Sequence, residues 1–457
     1  MLKQRIITAV LMLLVLLPAL FAQAPWPFAL LTLVMIAAAG WEWFRLNGAP
    51  GVPALAGGAV VAAGSAAMWQ IGWIGHSPGV LWQLALLLWV LGGAWRQRWE
   101  VARDNAVTFP LLALYGLILL GALYTTAPWR VVLDHWLKYD KLLLMVMAIS
   151  LMAHDEKTRE RCWTAFTIAA LFTLASSYLS IWWRLPWSRA QTLGWGGDHS
   201  VFKDYITQSV LMVLLMLRGL YLALRTPVVW QRAAWLAVAV LAFVCNTQLL
   251  YGRTGYVATA VAVLAFVLAL VPVRRWWMAL GLVAVVLGVA VLLSPTIVPR
   301  VALGLKELGQ VPETTTSIGP RLYFLHYGLE LFSQKPWLGW GTGAYHGEFC
   351  RIATTPEWCA AGSFHPHNQF LFFMIEHGLP GLVAFAGVFV AALWQARRME
   401  RLDRAVAIAF VGVAGVGSLT HSGIWLANEG LAYCFGLVLV LTAPRLPSPQ
   451  STGAARG

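Results

Sequence analysis

Two histidines and an asparagine stand together in Ser363-Phe364-His365-Pro366-His367-Asn368-Gln369-Phe370-Leu371, just ahead of an apolar run. Imidazole titrates near neutrality, so a histidine placed here can take a proton from a hydroxyl group as a general base. A polar cap on a helix at a membrane interface would use the same residues. Two arginines share the setting. Arg253 lies in Tyr251-Gly252-Arg253-Thr254-Gly255-Tyr256 between two apolar runs, and Arg321 in Ser317-Ile318-Gly319-Pro320-Arg321-Leu322-Tyr323. Guanidinium forks bind phosphate oxygens bidentately and stay charged in any surroundings. Two of them with an imidazole suit a lipid-linked diphosphate, although snorkelling to lipid phosphate would also account for Arg253.

The motifs that are missing narrow the chemistry. There is no Walker loop, no GxSxG and no dinucleotide fingerprint. No Asp-x-Asp pair accompanies the arginines, and His, Cys, Asp and Glu look too scattered around them for a metal cage. The expectation is therefore no metal and no cofactor, with a diphosphate leaving group neutralised by arginine.

The elements that must position these residues are membrane helices. Of the 457 residues, 60% are apolar and 11% charged, against roughly 25% charged in a soluble domain. Many apolar runs reach the roughly 20 residues that span a bilayer. Backbone polar groups must pair internally in lipid, so the runs are helices. The 25 Trp residues suit interfacial belts. Lys3 and Arg5 precede the first run without a small-residue cleavage site, which reads as a retained span. The net charge of +13 sits in short clusters between runs, as the positive-inside rule and anionic lipid require, so membrane lipid rather than nucleic acid is the expected partner.

The sequence predicts an all-α polytopic membrane protein with about fourteen spans. They cover roughly 6–23, 27–44, 54–70, 79–95, 107–125, 132–153, 163–183, 204–224, 233–251, 254–272, 276–294, 369–395, 404–420 and 424–443. With the N-terminus in the cytoplasm, Arg96, Arg98 and Arg103, Arg225 and Arg232, Arg274 and Arg275, and Arg397, Arg398, Arg401 and Arg404 all fall on the cytoplasmic side. The tail 444–457 is then cytoplasmic too. Arg253, Arg321 and the histidines face the periplasm, the last two within a long loop, 295–368. An unstructured loop of that length is uncommon, and the amphipathic pattern around Arg321–Phe332 predicts short helices lying over the membrane. Cys350 and Cys359 share this loop, where a disulfide is permitted.

Several stretches resemble the O-antigen ligase and polymerase family across about 105–443. They are Tyr251-Gly252-Arg253-Thr254-Gly255; Arg321 with Pro336-Trp337-Leu338-Gly339-Trp340-Gly341-Thr342-Gly343; and His365-Pro366-His367-Asn368 with Glu376 and Gly378. Val201-Phe202-Lys203-Asp204-Tyr205-Ile206-Thr207-Gln208 is similar to an outer-loop motif of some members. The resemblance implies an inverting, metal-independent glycosyltransferase of the inner membrane. It would move a glycan from undecaprenyl diphosphate to lipid A–core, with His367 as the base and Arg253 and Arg321 holding the diphosphate. Lys203, His365, Asn368 and Glu376 are weaker site candidates. Glu376 falls about two and a half helical turns past His367, where a structural role is equally open.

Residues 1–98 are similar instead to the amino-terminal spans of phosphatidate cytidylyltransferase, in Met1-Leu2-Lys3-Gln4-Arg5-Ile6-Ile7-Thr8-Ala9 and Trp41-Glu42-Trp43-Phe44-Arg45-Leu46. That enzyme's Ser-x-x-Lys-Arg-x-x-Lys-Asp signature is missing, so its activity is not expected. Three other functions compete with the ligase. One is an O-antigen polymerase. Another is a protein oligosaccharyltransferase, disfavoured by the short tail ending the chain. The third is a transporter or flippase, disfavoured because no broken helices with matching halves are apparent.

Overall fold

The structure, a computed structural model, describes residues 26–46, 51–53, 55–59, 94–295, 297–308, 318–362 and 364–444. The chain divides into two compact units, one of residues 1–97 with 185–187 and one of 98–184 with 188–457. In the first, helix α1 (Trp26–Leu46) carries an Arg45–Glu42 ion pair of 2.6 Å on its last turn. A second helical stretch lies against α1, with a Cβ built on Gly58 falling 2.4 Å from the Ala37 carbonyl oxygen.

The larger unit is all-helical among the described residues. It opens with α2 (Ala94–Asp104), α3 (Thr108–Leu120), α4 (Trp129–Tyr139) and α5 (Lys141–Met152), followed by α6 (Glu156–Leu179). Next come α7 (Tyr205–Arg225), α8 (Val229–Val244), α9 (Arg253–Leu270) and α10 (Trp276–Leu293). Four short helices follow, α11 (Ile297–Leu308), α12 (Gly319–Gln334), α13 (Tyr345–Ile352) and α14 (Pro356–Gly362). The chain then returns to long helices, α15 (Gln369–Arg397), α16 (Arg401–Thr420) and α17 (Ala427–Leu441).

Seven of these helices are long and apolar enough to cross a membrane among the described residues, eight if the bent pair 98–104 and 108–123 is one span. The expected fourteen are therefore not all present as straight spans. The stretches 6–23 and 60–93 lie outside the described residues. Within the described part, hydropathy overlooks breaks. The expected span 132–153 is divided at Asp140 into α4 and α5, where buried His135, Asp140 and Lys141 interrupt the apolar face. The 107–125 span begins after a 93° bend, and the last is a 15-residue helix. The region 295–368 does carry short helices, as its patterning predicts.

Small residues let the long helices close up. α9 buries Gly255, Ala258 and Ala262, and α16 buries Ala405, Ala407, Ala409 and Ala414. Lipid gives two apolar helices no hydrophobic reason to associate, so close contact through small side chains is what holds such a pair. Antiparallel packing then brings the starts of α7, α9, α15 and α17 and the end of α16 to one end of the unit. Direct contacts there run from Lys203 to Glu429 and from His367 to His421.

α15 is not a continuous helix. Gly378 has φ +63°, and a Cβ there would stand 2.6 Å from the Trp337 carbonyl carbon. The loop 336–343 fills this break. Trp340 N–H donates to the Ile375 carbonyl at 3.0 Å, Gly341 N–H to the Glu376 carbonyl at 2.8 Å, and Leu379 N–H to the Pro336 carbonyl at 2.8 Å. A Cβ on Gly339 would lie 2.5 Å from the Glu376 carbonyl carbon, so the two backbones approach each other through a pair of glycines. Together with the 93° bend, this gives the larger unit two breaks that the apolar runs do not reveal.

Candidate functional site

Asn368 starts α15. Its backbone is extended, and its side-chain oxygen accepts the Leu371 N–H at 3.0 Å. It is the N-cap, which accounts for one of the weaker site candidates without chemistry. The preceding residue carries the strain. His367 has φ +53° and is the one non-glycine residue at positive φ among those described. Such a conformation costs about 1–3 kcal/mol and persists only where neighbours enforce it. Here the imidazole stacks on Phe324 of α12, with centroids 5.8 Å apart and planes 7° from parallel. Its Nδ1 meets Nδ1 of His421, just past α16, at 3.1 Å. The His367 N–H donates to His365 Nδ1 at 3.3 Å, and His365 lies against Trp425.

The three imidazoles thus form one group, with His365 and His421 buried and His367 half-buried. Burial, then the neighbouring rings, push His365 down to about 2. Burial, His421 and the positive charge of Arg321 push His367 down to about 3. Burial also lowers His421, against the pull of Glu429 and Asp204. All three rings are consequently neutral at physiological pH; His365 Nδ1 accepts the His367 N–H, and whichever of His367 and His421 donates across their Nδ1 contact keeps a lone pair on Nε2 that can accept a proton. The sequence reads His, Cys, Asp and Glu as too scattered here for a metal cage, yet three histidines bring ring nitrogens within 4.8 Å of one another. His421 was the member not foreseen, and its position at the end of a span, in Thr420-His421-Ser422, is the signal that could have found it.

The arginines sit beside this group. Arg253 is the first residue of α9, and its Nη1 reaches Glu307 Oε2 at 3.3 Å. Glu307 comes from α11, which approaches closely through Gly304, where a Cβ would be 3.1 Å from Arg253 Nη1. The Nε and Nη2 of Arg253 are buried without a hydrogen-bond partner. Arg321 lies in the first turn of α12. Burial and then the like charge of Arg253 hold its guanidinium below the ordinary value, with Glu307 and Tyr205 acting in the opposite sense. A guanidinium stays protonated even so. Two guanidinium groups and a carboxylate therefore lie close together, and an anion with several oxygens would satisfy the donors of Arg253 left without a partner.

Lys203 joins a second polar strand of the site. Its Nζ is 2.6 Å from Glu429 and 3.5 Å from Asp204. Asp204 caps α7 by accepting the Ile206 and Thr207 N–H groups. Glu429 is 3% exposed on its side chain and was not foreseen.

Glu376 belongs elsewhere. It is buried behind the loop 336–343, where Oε1 accepts the Gly343 N–H at 2.9 Å and lies 3.5 Å from His135 Nε2. Its surroundings are His135, His377 and backbone, so it braces the break in α15. Cys350 of α13 and Cys359 of α14 are joined by a disulfide, with Cα atoms 4.6 Å apart, beside the aromatic stack of Tyr323, Phe349 and Trp358.

Comparison with known proteins bears on the same residues. No curated protein matches the chain. A family model described as O-Antigen ligase matches residues 236–386, a stretch that holds Arg253, Glu307, Arg321, the loop 336–343, His365, His367 and Glu376. Lys203, His421 and Glu429 lie outside it. Residues 236–386 are thus similar to the O-antigen ligase family, in a chain whose described residues hold seven helices long and apolar enough to cross a membrane.

Proposed function

We propose that the protein is an O-antigen ligase-type glycosyltransferase. It takes a glycan from an undecaprenyl-diphosphate-linked donor and passes it to a hydroxyl of lipid A–core at the periplasmic face of the inner membrane. The observation that carries this reading is the placement of two half-buried guanidinium groups, Arg253 and Arg321, beside a strained histidine, His367. Arg253 and Arg321 would hold the diphosphate and stabilise the charge it gains as the glycosidic bond breaks. His367 would accept the acceptor hydroxyl's proton as the new bond forms on the opposite face of the sugar, with inversion. Burial, with smaller repulsions from His421 and Arg321, keeps His367 neutral beforehand, and the negative diphosphate would raise its basicity once bound. Lys203, paired with Glu429, lies on the His421 side, where an acceptor sugar would approach. The chemistry needs no metal, so a chelator should leave it unaffected.

The test is transfer in cells lacking their own O-antigen ligase. Wild-type protein should restore a long lipopolysaccharide ladder on a gel, and equally expressed His367→Ala should restore none. A ladder from His367→Ala would overturn the base assignment. Failure of both proteins, with lipid-linked glycan chains lengthened by wild type, would favour the polymerase.

A further inference from the structure

The histidine group has a property that proton transfer does not use. His365, His367 and His421 each offer a ring nitrogen, and the three nitrogens lie within 4.8 Å of one another. The ring centroids are 4.4, 5.1 and 5.2 Å apart. In a tetrahedral site with metal–nitrogen bonds of about 2.0–2.1 Å, neighbouring nitrogens stand about 3.3 Å apart. The His367–His421 contact, at 3.1 Å, is close to that spacing already, and the third ring needs a shift of about an ångström or a little more. His365 and His367 come from one short segment and His421 from the end of another helix, so the ligands are fixed on two supports. The charges facing them are Arg321, Lys203 and Lys138 against Glu429 and Asp204, so the carboxylates offset part of the cost of an added cation. Three imidazoles with a fourth position open is the ligand count of an accessible zinc site. Nitrogen donors favour zinc, copper and nickel over magnesium and calcium.

We propose that His365, His367 and His421 form a binding site for a divalent transition-metal ion of the zinc class, and that its occupation reversibly switches off transfer. The blocking step rests on the reading of His367 as the base. A metal ion takes the lone pair that would otherwise accept the acceptor's proton, and it adds a positive charge where the acceptor must approach. The metal is an inhibitor in this scheme, so a chelator reverses inhibition and does not impair the metal-free enzyme.

The experiment uses the full chain purified in detergent and stripped of metal. Zinc is titrated by calorimetry, and cobalt is followed by the visible absorption of its low-symmetry complexes. Wild type should bind one zinc per chain. His365→Gln and His421→Gln should each weaken binding by at least about tenfold, the scale already seen for outer-shell changes. His326→Gln, at an exposed histidine on α12, should bind as wild type does. Melting curves identify a variant that fails to fold, and the other variant then carries the result. Absence of stoichiometric binding, or equal binding by both site variants, overturns the site. Zinc should also suppress transfer by wild type, with EDTA restoring it. Binding at the three histidines without inhibition would keep the metal site and overturn the base reading. Activation by zinc would overturn the switch and make the ion a participant.

Discussion

Two histidine-containing clusters flank the first turns of α15, and they are built to opposite ends. On one side, Glu376, His377 and His135 are sealed behind the loop 336–343, and a backbone N–H fixes one Glu376 oxygen. On the other, His365, His367 and His421 meet one another across 3.1–3.3 Å contacts beside two arginines. The first cluster is locked by hydrogen bonds from a tight loop. The second carries backbone strain at His367. Buried polar residues in a membrane protein are commonly functional, and the two clusters differ in what holds them. Backbone of the loop 336–343 fixes one Glu376 oxygen, while Glu376 Oε2 and both His377 ring nitrogens stay buried without hydrogen-bond partners; the second cluster is held ring to ring, at the cost of that strain.

Each cluster can be broken separately. The largest effect is expected from His367→Asn. Asparagine tolerates positive φ better than other side chains, so the fold should persist, while loss of the base should lower transfer about 10²- to 10⁴-fold. Unchanged melting with lost activity is the expected pair of readings, and retained activity would count against the base. Next comes the brace. Gly378→Ala puts a Cβ against the Trp337 carbonyl at a positive φ, which should cost about 1–3 kcal/mol or more. Thermal melting would read this, and an unshifted melting temperature would contradict the role given to the loop.

A pH series sharpens the comparison further. The folded imidazoles of His365 and His367 are depressed to about 2 and 3, against about 6.5 in the unfolded chain. The unfolded state therefore binds more protons as pH drops below about 6.5, and stability falls with it. The contribution is fully present above that pH. Melting temperature should decline between pH 7.5 and pH 5.5, and His365→Gln should flatten the decline, whereas an identical slope in the variant would refute the cause. The smallest effect concerns Glu307→Gln. Removing the carboxylate that competes for Arg253 should tighten donor binding by a few-fold, about 1 kcal/mol or less, the scale of a partly exposed ion pair. Weaker binding would mean that Glu307 orients Arg253 for the donor.

Much of this was legible in the sequence. The helices α7, α9, α10, α15 and α16 follow apolar runs whose ends are within a few residues of those expected, because lipid enforces both length and hydrogen bonding, whereas α6 begins and α8 ends seven residues earlier than expected. Arg253, Arg321, His365 and His367 stood out because charge is costly at an otherwise arginine-poor face. What the sequence concealed depends on contacts between distant elements. His421 is 54 residues from His367, and Glu429 is 226 from Lys203. No local pattern links such partners. The break at Gly378 was hidden for a different reason, since an apolar run scores as a span whether or not its backbone continues. The glycines at 339 and 378 signalled a close approach, and only the fold showed what approached.

The crowding of Arg253 and Arg321 also bears on the order of events in a catalytic cycle. A glycosyl diphosphate donor loses its sugar and leaves as a diphosphate monoester, which carries one further ionisable oxygen. The pair of guanidinium groups would then grip the product more firmly than the substrate, and departure of the spent lipid would become the slow step, as in many enzymes. Glu307 is placed to help. It contacts Arg253 directly, at 3.3 Å, so it can compete with a phosphate oxygen for that guanidinium and hasten turnover.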